Sequence, residues 1–386
     1  MRTIGHKSLK HCYGALHASL SQCVYDRSDL GKLLERGRLM RIGHGHFFQN
    51  LDGRPDHEVW RTEMTLADRA EHLGFDSVWA VEHHFADYSM STDPLQFLTW
   101  VAARTQRVQL GTMVSVLPWH DPIRLAEHAC VLDHLSGGRL ILGMGRGLAR
   151  QEFDGFGVEM ARSRQLFDQY AAELLDVFET GRIRGVELRP APLAPLRGRV
   201  FASSISPESA EVMARLGAGI MIFLQKPWEQ TVADLERYRE HYRRYRDDDP
   251  PKPMVVIFNA CHEDRDIAAG LFEQVVAYYR STIDHYGFAD EAMAAIPGYE
   301  YYGNIARTIA KHGREQFAHF LAGLQPWGTP DEVVEQTREI VRRTDAGGLI
   351  VVSAFGNLAP DVAVTNQERF ARAVMPALYE TVGSST

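Results

Sequence analysis

Residues Gly74–Phe85 read GFDSVWAVEHHF. Gly74 is a helix-stop residue, Phe75–Val81 is an apolar, β-rich run, and a Glu-His-His cluster follows it directly. The same punctuation repeats in both directions. Upstream, the pattern predicts a strand at Arg41–Phe48 (RIGHGHFF) and an amphipathic helix at His57–Leu73. Downstream it predicts helix Pro94–Arg104, strand Val108–Leu117, helix Ile123–Leu135 ended by Gly137-Gly138, strand Arg139–Met144 and helix Arg162–Glu179. Past a proline-rich loop at 183–197 the alternation resumes. It runs through strand Arg199–Ser203, helix Pro207–Leu216, strand Gly219–Leu224, helix Glu229–Arg246, strand Met254–Cys261 and helix Arg265–Ile283. An extra helix Asp331–Arg343, strand Gly348–Ser353 and helix Gln367–Tyr379 complete eight strand–helix pairs. Near-continuous apolar strands alternating with helices imply a parallel sheet covered by helices. Eight such units imply a closed (β/α)8 TIM barrel, an α/β fold.

Two segments stand outside this rhythm. His285–Gln325, after the seventh unit, contains GYEYYGN and is rich in aromatic residues. An insertion of this length is either a lid or substrate loop at the catalytic face, or a surface excursion or dimer contact. Residues 1–39 carry seven Lys/Arg against three Asp/Glu and lack the clean apolar segment of a secretory signal. They read as a poorly ordered extension, so that the barrel domain spans 40–386.

Composition narrows the function. With 386 residues and 45% hydrophobic content, the chain can bury one large core. A net charge of −8 argues against a nucleic-acid partner, which needs a concentrated basic surface. Cys12, Cys23, Cys130 and Cys261 have no CxxC spacing, which suits reduced thiols in a cytoplasmic protein and neither a disulfide framework nor a zinc site. No apolar run approaches the ~18 residues of a membrane helix.

Barrel chemistry sits at the C-terminal ends of the strands, and three groups fall there. The first is Glu82-His83-His84-Phe85. A strand-end histidine titrates near neutrality and can serve as base or donor, with Glu82 beside it to orient an imidazole. The bland alternative is a structural hydrogen-bonder. Adjacent side chains point to opposite sides, so His83 and His84 do not chelate one metal ion together, and no metal is expected. The second group is Gly143-Met-Gly-Arg-Gly147, where glycines admit close backbone approach and Arg146 suits a phosphate; Arg164 offers a second cation. GxGxG is also frequent in ordinary loops. The third is Ser203-Ser-Ile-Ser-Pro-Glu-Ser209. It reads either as a well-capped helix or as a phosphate site at a helix N-terminus. Trp119 lines a pocket or packs in the core. His44 and His46 share one face of the first strand and Gly43 and Gly45 the other. The glycine face leaves room for a planar ring, with the histidines under the helices, and the residues alone do not choose.

These motifs in this order resemble the bacterial luciferase-like flavin monooxygenases. The resemblance runs from Met40 to the C-terminus through MRIG, GFDSVWAVEHHF, LGTMVSVLPWHDP, GRLILGMGRG, SRQLFDQY, SPESAEVMARLG and VMPAL. It implies a barrel that uses FMN in reduced form, delivered by a separate flavin reductase, with O2 and a small organic substrate, through a 4a-peroxyflavin. His83 matches the family's catalytic histidine. Arg146, Arg164 and Ser204 match its phosphate-binding positions, with Gly147, Ser206 and Ser209 close by. Met113 and Val114 match a pair joined by a cis peptide under the flavin ring; Glu82, His84 and Trp119 are pocket candidates. Gly145 stands where the light-emitting subunit has a reactive cysteine, which argues against light emission and implies a roomier site. The resemblance also implies a homodimer, to which the apolar helices at Leu95–Val101 and Ile123–Leu132 lend themselves. Two rivals remain: a hydride-transfer oxidoreductase using a deazaflavin, and a non-catalytic flavin-binding protein.

Overall fold

The apolar runs form eight parallel strands that close on themselves. The computed structural model describes residues 40–196, 198–203 and 207–380, so the expected extension at 1–39 lies outside the described residues. The barrel strands are β1 (Arg41–His46), β2 (Ser77–Ala80), β3 (Gln109–Thr112), β4 (Leu140–Gly145), β5 (Val200–Ser203), β6 (Gly219–Phe223), β7 (Met254–Phe258) and β8 (Gly348–Val352). Each pairs in parallel with the next, and β8 pairs with β1 to close the ring. Several outer helices start where the sequence supplies caps. Asp121 accepts from the Ile123 and Arg124 N–H groups at the head of helix Pro122–Ser136, and Gly137 ends that helix in the left-handed region.

A packed indole lies inside the barrel. Trp79 on β2 is fully buried, and its indole N–H donates to Ser77 Oγ at 2.8 Å. Gly43 and Gly111 flank it, and a Cβ on either would fall within 2.6 Å of the indole. Glycine at these two positions is therefore a packing requirement. The face question for β1 is thereby answered: the glycines look inward and the histidines sit under a helix. His46 Nδ1 lies 2.8 Å from Glu63 Oε2 on helix Asp56–Ala70, and His44 Nδ1 lies 3.1 Å from His46 Nε2. Burial, then its neighbour His46, holds His44 well below its ordinary range, so it packs as a neutral ring.

Four departures from the sequence pattern matter. The apolar run Val108–Leu117 is not one strand: β3 stops at Thr112, the Met113–Val114 peptide is cis, and Ser115–Val116 pairs with the end of β4. The run Met254–Cys261 also divides, with Ala260–Cys261 pairing with Trp327–Gly328 outside the barrel. The last helix starts at Pro360, seven residues before Gln367; Ala359 offers no side-chain cap, but Pro360 at the first position and Asp361 in the first turn are start signals. The insertion contains helices Tyr302–His312 and Arg314–Ala322.

Candidate active site

The strand ends open on a cleft of about 850 Å³. Its walls include Glu82, His83, Met113, Val114, Trp119, Arg146, Gly147 and Ser209, so the structure brings most of the candidate residues to one place. Ser204 and Ser206 lie outside the described residues.

His83 follows β2 and is 12% exposed at its side chain. Its Nδ1 lies 2.9 Å from Glu152 Oε1, and its Nε2 lies 3.4 Å from the Tyr286 hydroxyl. Glu152 sits in the first turn of helix Arg150–Phe156, 1% exposed. The same oxygen accepts the His84 backbone N–H at 2.9 Å, and the ring nitrogen Nε2 of His285 lies 3.5 Å away. Burial works to raise the Glu152 carboxyl, but the two imidazoles outweigh it and bring it down to about 2. The carboxylate thus fixes which His83 nitrogen carries a proton: Nδ1–H points at Glu152, and the Nε2 lone pair faces the Tyr286 hydroxyl in the cleft wall. A ring nitrogen from each of His83 and His285 and a Glu152 carboxylate oxygen all lie within 4.8 Å of one another.

Glu82 does not orient His83. Alternation along the strand end turns Glu82 and His84 away from His83, although Glu82 still lines the cleft. Glu82 accepts from His120 Nε2 at 2.7 Å, from His84 Nε2 at 3.2 Å and from the Val116 N–H at 2.8 Å. Burial opposes its charge, yet these bonds keep its carboxyl below the ordinary value. His84 does not line the cleft. Its ring packs edge-on against Trp119 and Phe156, at centroid distances of 5.4 and 4.6 Å.

Arg146 follows β4. Its Nη1 donates to Gly298 O at 2.6 Å, and its guanidinium lies 4.1 Å over the Tyr299 ring. The Tyr299 hydroxyl donates to Gly147 O at 2.9 Å and lies 2.9 Å from Ser163 Oγ. Arg164, in the first turn of helix Ser163–Thr180, donates to Ser209 Oγ at 3.3 Å. Two guanidiniums and a serine hydroxyl therefore gather near one end of the cleft. The space at Gly145 is not open: a Cβ there would fall 2.2 Å from Val114 Cγ2, so the valine occupies the room the missing side chain leaves.

The insertion supplies Tyr286 and Tyr302 to the cleft. With residues 225–230 it also lines a second pocket of about 1080 Å³, open to solvent, whose wall shares Gln225 with the first. The Gln225 Oε1 is buried without a hydrogen-bond partner. Glu152, His285, Tyr286 and Gln225 are residues that the motif reading did not single out. A carboxylate six positions after Arg146, in the helix that follows a strand end, is the one local signal for Glu152.

Residues 40–346 match the family model described as luciferase-like monooxygenase. The chain belongs to that family. Among its relatives, it is 26% identical to a 4-hydroxyprotoasukamycin monooxygenase of Streptomyces nodosus subsp. asukaensis, over 87% of this chain and 92% of the relative. It is 24% identical to an alkanal monooxygenase alpha chain of Aliivibrio fischeri, over 81% and 91%. The crystal structure of monooxygenase RslO1 from Streptomyces bottropensis superposes with a TM-score of 0.67 at 24% identity, covering 87% of this chain and 99% of that one, so the luciferase-like fold is shared along its length. No described helix is long and apolar enough to cross a membrane.

Proposed function

We propose that the protein is an FMNH2-dependent monooxygenase with His83 as its acid–base group. The observation that carries this reading is that one cleft joins His83, backed by Glu152, to the Arg146–Gly147 turn. The residues fit the cofactor. Arg146, Arg164 and Ser209 offer charge-assisted and hydroxyl donors to a phosphate dianion, and Met113, Val114 and Val81 offer an apolar wall to a ring. Reduced FMN, when bound, supplies two electrons to O2, one oxygen atom entering the substrate and the other leaving as water. The chain itself binds, orients and excludes water. His83 Nε2 takes up or returns a proton at the reacting centre, while Glu152 steadies the imidazole. The apolar wall and the tyrosines of the insertion keep bulk water out. The second cavity takes the body of the organic substrate, with Gln225 between it and the reaction centre, and the insertion acts as the lid. A separate reductase supplies the reduced flavin, and the chain works as a homodimer.

The test is cofactor binding followed by isotope tracing. Reduced FMN should bind, and a reduced deazaflavin should not. With 18O2 and an aldehyde, a ketone or a hydroxylated aromatic probe, one labelled oxygen should enter product. Tight binding of the deazaflavin with none of FMN would replace this reading by hydride transfer.

A further inference from the structure

We infer that His285 is a positioning residue for His83, acting through Glu152, so that the working unit is the three residues together. The inference rests on the reading of His83 as the acid–base group. Helix Arg265–His285 ends on this side chain, which is 4% exposed. Its ring stacks on Tyr88, centroids 4.3 Å apart and planes 11° from parallel, and meets His83 edge-on at 5.1 Å. Its Nε2 has no hydrogen-bond partner and faces Glu152 Oε1 at 3.5 Å. Glu152 Oε2 is likewise buried and unpartnered. Two imidazoles therefore share one buried carboxylate.

The consequence is electrostatic. A carboxylate beside an imidazole favours the imidazolium. If Glu152 faced His83 alone, its whole charge would favour the protonated form of that one ring. His285 Nε2 faces the same carboxylate oxygen that His83 Nδ1 meets, so part of the carboxylate's hold is drawn to the second ring. The other titratable groups facing His83 are Tyr88, from the loop after β2, and Tyr286, beside His285; Arg146 and Glu82 line the same cleft. Burial lowers the His285 pKa, so this ring meets Glu152 as a neutral imidazole, and neither tyrosine offers a ring nitrogen in its place.

The experiment needs neither flavin nor substrate. Diethyl pyrocarbonate acylates neutral imidazole, and mass spectrometry of the His83 peptide follows its rate against pH in the full chain. His285→Phe keeps the ring on Tyr88 and removes the N–H; His285→Gln keeps an N–H towards Glu152. With His285→Phe the midpoint should move up by about one pH unit, a roughly tenfold slower reaction below the midpoint. His285→Gln should stay close to wild type. His285→Leu repeats the test if the phenylalanine variant does not fold. An unchanged midpoint in the phenylalanine or leucine variant overturns the inference, and an equal shift in all variants assigns His285 to packing. A shift as expected in a protein that incorporates no oxygen would leave the triad standing and reject the oxygenase reading.

Discussion

The guanidinium of Arg146 lies 4.1 Å over the ring of Tyr299, with the Tyr299 hydroxyl on the Gly147 carbonyl. The insertion is thus fastened to the turn that carries the candidate phosphate residues. Tyr299→Phe keeps the ring under the cation and removes bonds to Gly147 O and Ser163 Oγ. It should lower stability by about 1–2 kcal/mol, a drop of a few °C in Tm, and speed proteolysis within 285–325. Unchanged melting and proteolysis would mean that the strap is held elsewhere.

Arg146→Ala separates cofactor binding from this structural task. Loss of one phosphate partner costs about 1.5–3 kcal/mol, so FMN should bind roughly 10- to 150-fold more weakly. Riboflavin, which has no phosphate, reports the loss caused by a loosened strap alone. Calorimetric titration with both ligands checks this, and equal losses would make Arg146 structural.

Gly145 and Val114 form a second pair with a definite cost. A side chain at Gly145 meets Val114 Cγ2 at 2.2 Å. Gly145→Cys should therefore destabilise by about 1–3 kcal/mol through overpacking. Val114→Ala in the same chain should recover most of that loss, and a double-mutant cycle measures the coupling. Purely additive effects would show that the valine moves aside freely.

The barrel was legible because each strand and helix carries its own local pattern, punctuated by Gly74, Gly137-Gly138 and Asp121-Pro122. The site was legible where chemistry sits in a short motif at a strand end, as in EHHF and GMGRG. It was not legible where chemistry depends on meetings far along the chain. Nothing near His83 announces Glu152, 69 positions on, or Tyr286, 203 positions on. The alternation that separates His83 from His84 is a strand rule, but which of the two faces the cleft depends on where Glu82, His120 and Glu152 end up. The division of Val108–Leu117 is hidden for a similar reason: apolar, β-rich residues suit both halves, and only the pairing of Ser115–Val116 with β4 distinguishes them.

Glu152 gives the site a pH signature in stability. Its carboxyl falls from an ordinary 4.5 to about 2 on folding. A depressed carboxylate stabilises the fold above its unfolded value and loses that contribution as pH falls through its folded value. Wild-type stability should accordingly decline between about pH 4.5 and 2, by up to roughly 3 kcal/mol from this group. Glu152→Gln should start less stable at neutral pH and lose less on acidification. Denaturant unfolding across this range measures both slopes, and parallel curves would remove Glu152 from the acid response.

His83 is where the reading is most exposed to disproof. Its Nδ1 bonds a buried carboxylate, so His83→Ala removes one donor from Glu152 while the His84 N–H and His285 remain. The stability loss should be that of one charged hydrogen bond, about 1.5–3 kcal/mol, and the chain should still fold. His83→Asn places an amide N–H near the lost Nδ1 and should recover much of that loss. Neither variant carries a group at the Nε2 position able to move a proton. Turnover should therefore fall by roughly 10²–10⁴ in both, whatever their difference in stability. FMN binding should stay within a few fold, since the phosphate residues are untouched. More of the O2 consumed should appear as hydrogen peroxide, because oxygen transfer becomes slower than release of peroxide. Parallel assays of peroxide, product and melting temperature separate these effects. If the asparagine variant regains turnover along with stability, His83 serves the fold through Glu152, and the proton at the reacting centre is handled by another group.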